Sequence, residues 1–233
     1  MSAPHAMRHT FIDPTTATGM AAAAYLDHLL AGRRREAADL ITDCLDRQGI
    51  ALREVYLGIF QPAQYEVGRL WQENLISVAH EHYCTATTQL IMAGLYPRIF
   101  SERRAGRTLV ACCVGGELHE LGMRMVADFF ELDGWDTWFL GGNTPDDAVV
   151  RMTAEKGADV LAISVTYNLH LAKRLVAEVR KSPNCQGVRI LLGGFPFTRR
   201  PDLATSMGAD ATAGDATEAV RTAVRLTGLM DSA

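Results

Sequence analysis

The sequence lacks several features that would assign a protein to a compartment or to a large partner. It has no apolar run near the roughly 18 residues of a membrane span, and its first residues, MSAPHAMRHTFIDP, lack the apolar core of a signal peptide. Lysine and arginine (23) are outnumbered by aspartate and glutamate (27), giving a formal net charge of −4. Independent DNA or RNA binding usually needs a basic surface. We therefore expect a cytoplasmic protein with no membrane partner and no direct nucleic-acid partner.

Common cofactor motifs are also missing. The five cysteines form no CxxC pair, so we expect reduced thiols that fill the core, and no zinc site. Neither GxGxxG nor GxxxxGK followed by Ser or Thr occurs, which removes the usual phosphate cradles of dinucleotide-binding and P-loop proteins. With 48% apolar and 21% charged residues among 233, the composition is typical of a globular chain of one large or two modest domains.

The hydrophobic periodicity changes about halfway along the chain. In the N-terminal part, apolar residues recur at helical spacing in four segments; Pro62 should bend the third, and Ser77 should cap the fourth. From Thr108 onward, short apolar strands alternate with amphipathic helices, which predicts a doubly wound parallel sheet. We expect a four-helix bundle over residues 1–105 and a Rossmann-like α/β domain over residues 106–233.

A histidine follows the first predicted strand, in the segment ELHELG at 117–122. In doubly wound sheets ligands bind outside the carboxyl ends of the strands, so His119 should face a ligand crevice. An imidazole can bind a metal through one nitrogen while the other donates to a carboxylate, and Glu117 lies two residues earlier. The alternative is a loop histidine that caps the next helix.

The histidine segment belongs to a longer pattern. SVT at 164–166 follows it after 41 residues, and a Gly-Gly pair follows after another 26. In order and spacing, this resembles the DxHxxG–SxL–GG signature of corrinoid-binding domains, with Glu in place of Asp and Thr in place of Leu. The resemblance implies bound cobalamin, with His119 as the lower axial ligand of cobalt and Glu117 as its partner. Gly122 completes the first motif, and the residues implied to line a slot for the cofactor's tail are Ser164, Thr166, Gly193 and Gly194.

A second motif lies in the helical part. Trp71 is followed, after nine residues, by Glu81 and His82, and this resembles the W-x9-EH motif of CarH-type cobalamin photoreceptors. The resemblance implies that the bundle covers the upper cobalt face and that these three residues surround the adenosyl group of adenosylcobalamin. Light-driven members of that group have a histidine where this chain has Gln72. The alternative is that Trp71 belongs to the core and that Glu81 and His82 form a solvated first turn.

Three functions follow from these patterns. The first is a non-enzymatic light sensor without its own DNA-binding domain, in which light cleaves the cobalt–carbon bond and a protein partner or self-association responds to the change. A bilin such as biliverdin as second chromophore is compatible with this interpretation. The alternative is a corrinoid methyl-carrier subunit of a methyltransferase system. A nucleotide-binding protein without cobalt is disfavoured, because the phosphate loop is missing.

Overall fold

A computed structural model of the chain describes residues 9–100, 102 and 104–228. Along the chain it divides into two compact units, Met1–Arg98 and Ile99–Ala233. The first is helical, and the second contains a five-stranded parallel sheet. The expected fold class, helices followed by a Rossmann-like domain, is confirmed.

The N-terminal unit consists of helices that pack around apolar side chains. Its α-helices are α1 (Ala17–Leu30), α2 (Arg34–Asp46), α3 (Leu52–Val55), α4 (Gln61–Gln72) and α5 (Val78–Gly94). Ser77 caps α5 as expected, since its side chain accepts a hydrogen bond from the His80 amide. At the centre of the unit, the fully buried Tyr25 places its hydroxyl 2.9 Å from that of Thr88. This pairing removes the cost of burying two unpaired hydroxyls.

The expected bend at Pro62 takes another form. Between α3 and α4 the chain forms a π-helical turn, Tyr56–Phe60, and Pro62 stands in the first turn of α4. A proline has no amide proton to donate and its ring crowds the carbonyl four residues earlier, so a widened turn just before it relieves both problems.

The C-terminal unit has a parallel sheet with the strand order β2-β1-β3-β4-β5. The strands are β1 (Thr108–Cys113), β2 (Asp136–Gly141), β3 (Val160–Ser164), β4 (Arg189–Gly193) and β5 (Ala211–Thr212). The helices between and after them are α6 (Leu121–Leu132), α7 (Asp146–Glu155), α8 (Leu169–Lys181), α9 (Phe195–Arg199), α10 (Asp202–Ser206) and α11 (Ala216–Leu226). The chain runs from β1 outward to β2 and then returns to the other side of β1, so the strand order reverses between β1 and β3. Ligands of doubly wound sheets bind at such a reversal.

The core of this unit follows the alternation of side chains along the strands. Val110 and Cys112 pack with residues of α7 and α8, including Val149 and Leu175, in one buried cluster. Because β1 and β3 are buried on both faces, they appear in the sequence as continuous apolar runs. All five cysteines are buried and free, as expected.

Two aspartates hold the amino-terminal edge of the sheet. Asp159, just before β3, accepts a 2.8 Å hydrogen bond from the amide of Thr108, which starts β1. Asp210, just before β5, accepts a 2.7 Å hydrogen bond from the amide of Ile190 in β4 and pairs with Arg180. Burial raises the pKa of Asp210, but its hydrogen bonds outweigh burial and leave that pKa below its ordinary value.

The sequence did not predict the short helices α9 and α10, which fill the connection between β4 and β5. Within the described part of the chain, no helix combines the length and apolar character that a membrane span requires.

Candidate functional site

The loop between β1 and α6 is held by the two neighbouring loops. The Gly116 amide donates a 2.8 Å hydrogen bond to the side-chain oxygen of Asn143, which follows β2. The Glu120 carboxylate accepts a 2.7 Å hydrogen bond from the Gly142 amide on the same neighbouring loop. Asn143 has a left-handed backbone with φ of 55°, a conformation that asparagine tolerates better than most residues. The loop that carries His119 is therefore fixed on its β2 side by side chains that the sequence motifs do not include.

On its β3 side the loop is fixed by the carboxylate of Glu117, which is 2% exposed. One carboxylate oxygen contacts Nδ1 of His119 and accepts a 3.1 Å hydrogen bond from the His119 amide. The other accepts a 2.7 Å hydrogen bond from the Thr166 amide after β3. Burial raises the pKa of Glu117, but these hydrogen bonds outweigh it and leave the pKa below its ordinary value. A single buried carboxylate therefore joins the two loops across the reversal of strand order.

His119 is held at one nitrogen only. Its side chain is 51% exposed, and no residue of the described ranges hydrogen-bonds its Nε2 atom. When Nδ1 carries the proton and donates it to a carboxylate, the lone pair of Nε2 is available to a metal. No cluster of three or more His, Cys, Asp or Glu side chains suited to a metal ion occurs in the part of the chain that the structure describes. A corrin ring supplies the four equatorial nitrogens of cobalt itself, so the donor set that it needs is one such imidazole.

The two glycines at the carboxyl end of β4 have different surroundings. Gly194 has φ of 111°, and a Cβ atom there would lie 2.1 Å from the carbonyl oxygen of Val165. A Cβ atom on Gly193 would meet no atom within 4 Å. Gly193 pairs in register with the buried Ser164 of β3. Ser164, Thr166, Gly193 and Gly194 therefore lie together at the carboxyl ends of β3 and β4, next to an open space, which suits the cofactor tail that the motif implies. Gly122, exposed near the start of α6, has no atom near its missing Cβ either.

In the helical unit, the structure brings together two of the three predicted residues. The Glu81 carboxylate accepts a 3.0 Å hydrogen bond from Thr85 and lies 3.5 Å from Nε2 of His82, whose side chain is 73% exposed. Trp71 is 36% exposed at the end of α4, so it is not a core residue. Within the residues described, it makes no hydrogen bond or ring contact with Glu81 or His82. Gln72 is exposed beside it.

Sequence reasoning missed three contributors to the site: Glu120, Asn143 and Tyr167. The Tyr167 ring centroid lies 5.5 Å from that of His119 in an edge-to-face arrangement. Asn143 follows two glycines, and such a Gly-Gly-Asn run at the end of a strand is a detectable signal for a left-handed turn. For Glu120 and Tyr167 the sequence offers no comparable signal, because their contacts depend on the tertiary fold.

Two family models for the B12 binding domain match the chain, one over residues 107–224 and one over residues 21–96. The first covers just over half of the 233 residues. The chain therefore belongs to the B12-binding-domain family, and it is a cobalamin-binding protein.

Similar proteins cover most of the chain. It is 26% identical over 207 residues to the dimethylamine corrinoid protein of Methanosarcina barkeri. That alignment covers 82% of this chain and 96% of the relative. A corrinoid protein of Desulfitobacterium hafniense is 25% identical over 168 residues, and the alignment covers 70% of this chain and 77% of that relative. The solved structure of the monomethylamine corrinoid protein of Methanosarcina barkeri has a TM-score of 0.79 and 20% identity, covering 90% of this chain and all of that one. At that identity the likeness shows a shared fold.

These relatives overturn the expectation of a light sensor. Proteins that align along four fifths of the chain are corrinoid proteins named for dimethylamine, so the functional prediction drawn from W-x9-EH is wrong. The motif misled because it consists of three side chains at the ends of two helices. In the structure Trp71 is exposed and Glu81 accepts a hydrogen bond from Thr85.

Proposed function

We propose that this protein is a corrinoid methyl carrier: a subunit that holds a corrinoid while partner methyltransferases add a methyl group to it and remove it. The proposal is supported above all by the dimethylamine corrinoid proteins, which align along 82% of the chain. When bound, the corrinoid supplies a cobalt centre that accepts a methyl group from one partner and releases it to another. The groups that catalyse each transfer then belong to the partners, and the carrier is not an enzyme by itself.

The site residues have distinct roles in this proposal. His119 would bind the cobalt through Nε2, and Glu117 would hold the proton on Nδ1 so that Nε2 keeps its lone pair. The Thr166 amide fixes the second oxygen of Glu117, so the carboxylate cannot turn away from the imidazole. Ser164 and Gly193 would leave room for the cofactor's tail, and Gly194 lets the backbone approach the Val165 carbonyl oxygen closely.

A redox cycle in the dark tests the carrier function. The protein is loaded with hydroxocobalamin, reduced with titanium(III) citrate, methylated with methyl iodide and demethylated with a thiolate, while its visible spectrum is followed. We expect repeated methylation and demethylation with the cofactor retained, and faster loss of cofactor in His119→Ala. Release of the cofactor in the first cycle would contradict the proposal.

The group bound on the upper face of cobalt and the role of the W-x9-EH residues are tested separately from the carrier function. The expected adenosyl group and the expected bilin stay predictions, which mass spectrometry of the cofactor extracted from the purified protein checks. The role of Trp71 and His82 beside the upper substituent also stays a prediction. Trp71→Ala and His82→Ala should change the affinity ratio of methylcobalamin to adenosylcobalamin. An equal loss for both cobalamins would mean that the motif is structural.

A further inference from the structure

The candidate axial ligand has an aromatic neighbour that none of the motifs includes. The ring centroids of Tyr167 and His119 are 5.5 Å apart and their planes are inclined by 67°. Aromatic rings favour this edge-to-face arrangement, because the positive edge of one ring meets the negative face of the other. Tyr167 is 63% exposed, so burial in the core does not explain its position.

The backbone on both sides of Tyr167 is anchored. The amide of the preceding residue, Thr166, donates a hydrogen bond to the carboxylate of Glu117, which also contacts His119. The Tyr167 carbonyl accepts a 3.1 Å hydrogen bond from the amide of Leu169, at the start of α8. The tyrosine ring is therefore presented to the imidazole by the same short segment that fixes the carboxylate.

The two neighbours restrain the imidazole in different ways. The hydrogen bond that Nδ1 donates to Glu117 fixes that nitrogen, but it leaves the half-exposed ring of His119 free to tilt about that contact. The ring of Tyr167 stands against the imidazole and limits this tilt. Among the described residues, the tyrosine hydroxyl has no hydrogen-bond partner, so the restraint comes from the ring.

We propose that Tyr167 is a positioning residue that holds the His119 imidazole ready for axial coordination before the corrinoid arrives. The proposal rests on the proposed function in one respect, the assignment of His119 as the axial ligand. It predicts that Tyr167 acts through His119, and that phenylalanine can replace it.

The contact itself is tested in the cofactor-free protein by NMR. Tyr167→Ala should shift the imidazole proton resonances of His119, because the ring current of the tyrosine is lost, and Tyr167→Phe should largely preserve them. Phe195→Ala is the matched control: Phe195 is an equally exposed aromatic residue after β4, but its ring contacts Arg199. Resonances of His119 that do not move in Tyr167→Ala would overturn the proposal.

The positioning role is tested by a double-mutant cycle on hydroxocobalamin affinity, measured by absorbance titration. Tyr167→Ala should weaken binding about two- to tenfold, the range expected for one edge-to-face pair, and should reduce the spectrum of histidine-bound cobalt. Tyr167→Phe should bind like the wild type. In the His119→Ala background, Tyr167→Ala should have no further effect.

The outcomes separate this proposal from the function on which it rests. If Tyr167→Ala costs as much in the His119→Ala background as in the wild type, Tyr167 does not act through His119 and the proposal is overturned. If His119→Ala itself changes neither affinity nor spectrum, the axial assignment fails, and the proposal fails with it. Because the cycle uses no methyl donor, a failure of methyl transfer with an intact cycle would count against the carrier function alone.

Discussion

The two adjacent glycines at the end of β4, Gly193 and Gly194, should respond very differently to the same substitution. In Gly194→Ala the new residue must adopt φ of 111° and ψ of 168°, a region used almost only by glycine, at a cost of about 1–3 kcal/mol. Its Cβ atom would also lie 2.1 Å from the Val165 carbonyl oxygen. To relieve that contact, the ends of β3 and β4 must separate, although the 3.1 Å hydrogen bond from the Val165 amide to the Gly193 carbonyl joins them. Loss of that bond adds about 1 kcal/mol.

We therefore expect Gly194→Ala to lower the free energy of unfolding of the cofactor-free protein by about 2–4 kcal/mol, a large part of the roughly 5–15 kcal/mol typical of a domain. Gly193→Ala should change it by no more than about 1 kcal/mol, because the added methyl group enters open space and the backbone is not left-handed. Urea denaturation followed by circular dichroism measures both variants at once.

The second measurement is hydroxocobalamin affinity. If the open space beside Gly193 holds the cofactor tail, Gly193→Ala should fold normally and yet bind the cofactor more weakly than the wild type. A Gly194→Ala variant as stable as the wild type, or an equal loss of stability in both variants, would show that Gly194 does not differ from Gly193 in this way. A Gly193→Ala variant with unchanged affinity would remove Gly193 from the tail slot.

Three further predictions concern titratable groups. Glu117→Gln should lower the free energy of unfolding by about 1–3 kcal/mol, since an amide nitrogen must face either the Thr166 amide or the histidine; an unchanged urea midpoint would contradict this. Glu117 and Asp210 have folded-state pKa values below 4.5 and 3.8, so the stability they contribute is present above these values and is lost as the pH falls through the folded-state pKa. The melting temperature should therefore fall below about pH 4.5, with a shallower slope in Glu117→Gln. All five cysteines are buried, and burial raises the pKa of the Cys84 thiol to about 11 and that of Cys113 to about 12. Because buried thiols are out of reach of a reagent, we expect a thiol reagent at neutral pH to label no cysteine in the folded protein and five in denaturant.

The sequence was sufficient for the fold because the signals for it are local. Buried parallel strands are continuous apolar runs, as in β1, and Ser77 begins α5 with a standard cap. The same signals could not reveal the π-helical turn before Pro62, because proline predicts an interruption but not the geometry that relieves it.

The site was predictable in part. Spacing placed Glu117 next to His119, and the structure has the two side chains in contact. The Thr166 side chain was expected to line a slot, yet its backbone amide makes the contact that fixes the carboxylate. Backbone contacts of this kind leave no trace in residue identity. The light-sensing function failed for a different reason: a short motif records which residues are present, but not what they do in a different member of the same fold.

The aspartates before β3 and β5 have a consequence for engineering this domain. Asp159 and Asp210 secure the starts of neighbouring strands at the edge of the sheet farthest from His119. These contacts between strands therefore lie at the end of the sheet opposite the candidate ligand site. Changes in the ligand-end loops that keep Glu117 and Gly194 leave the contacts of Asp159 and Asp210 in place. The other positions of those loops can therefore be varied in a library from which new cofactor preferences are selected.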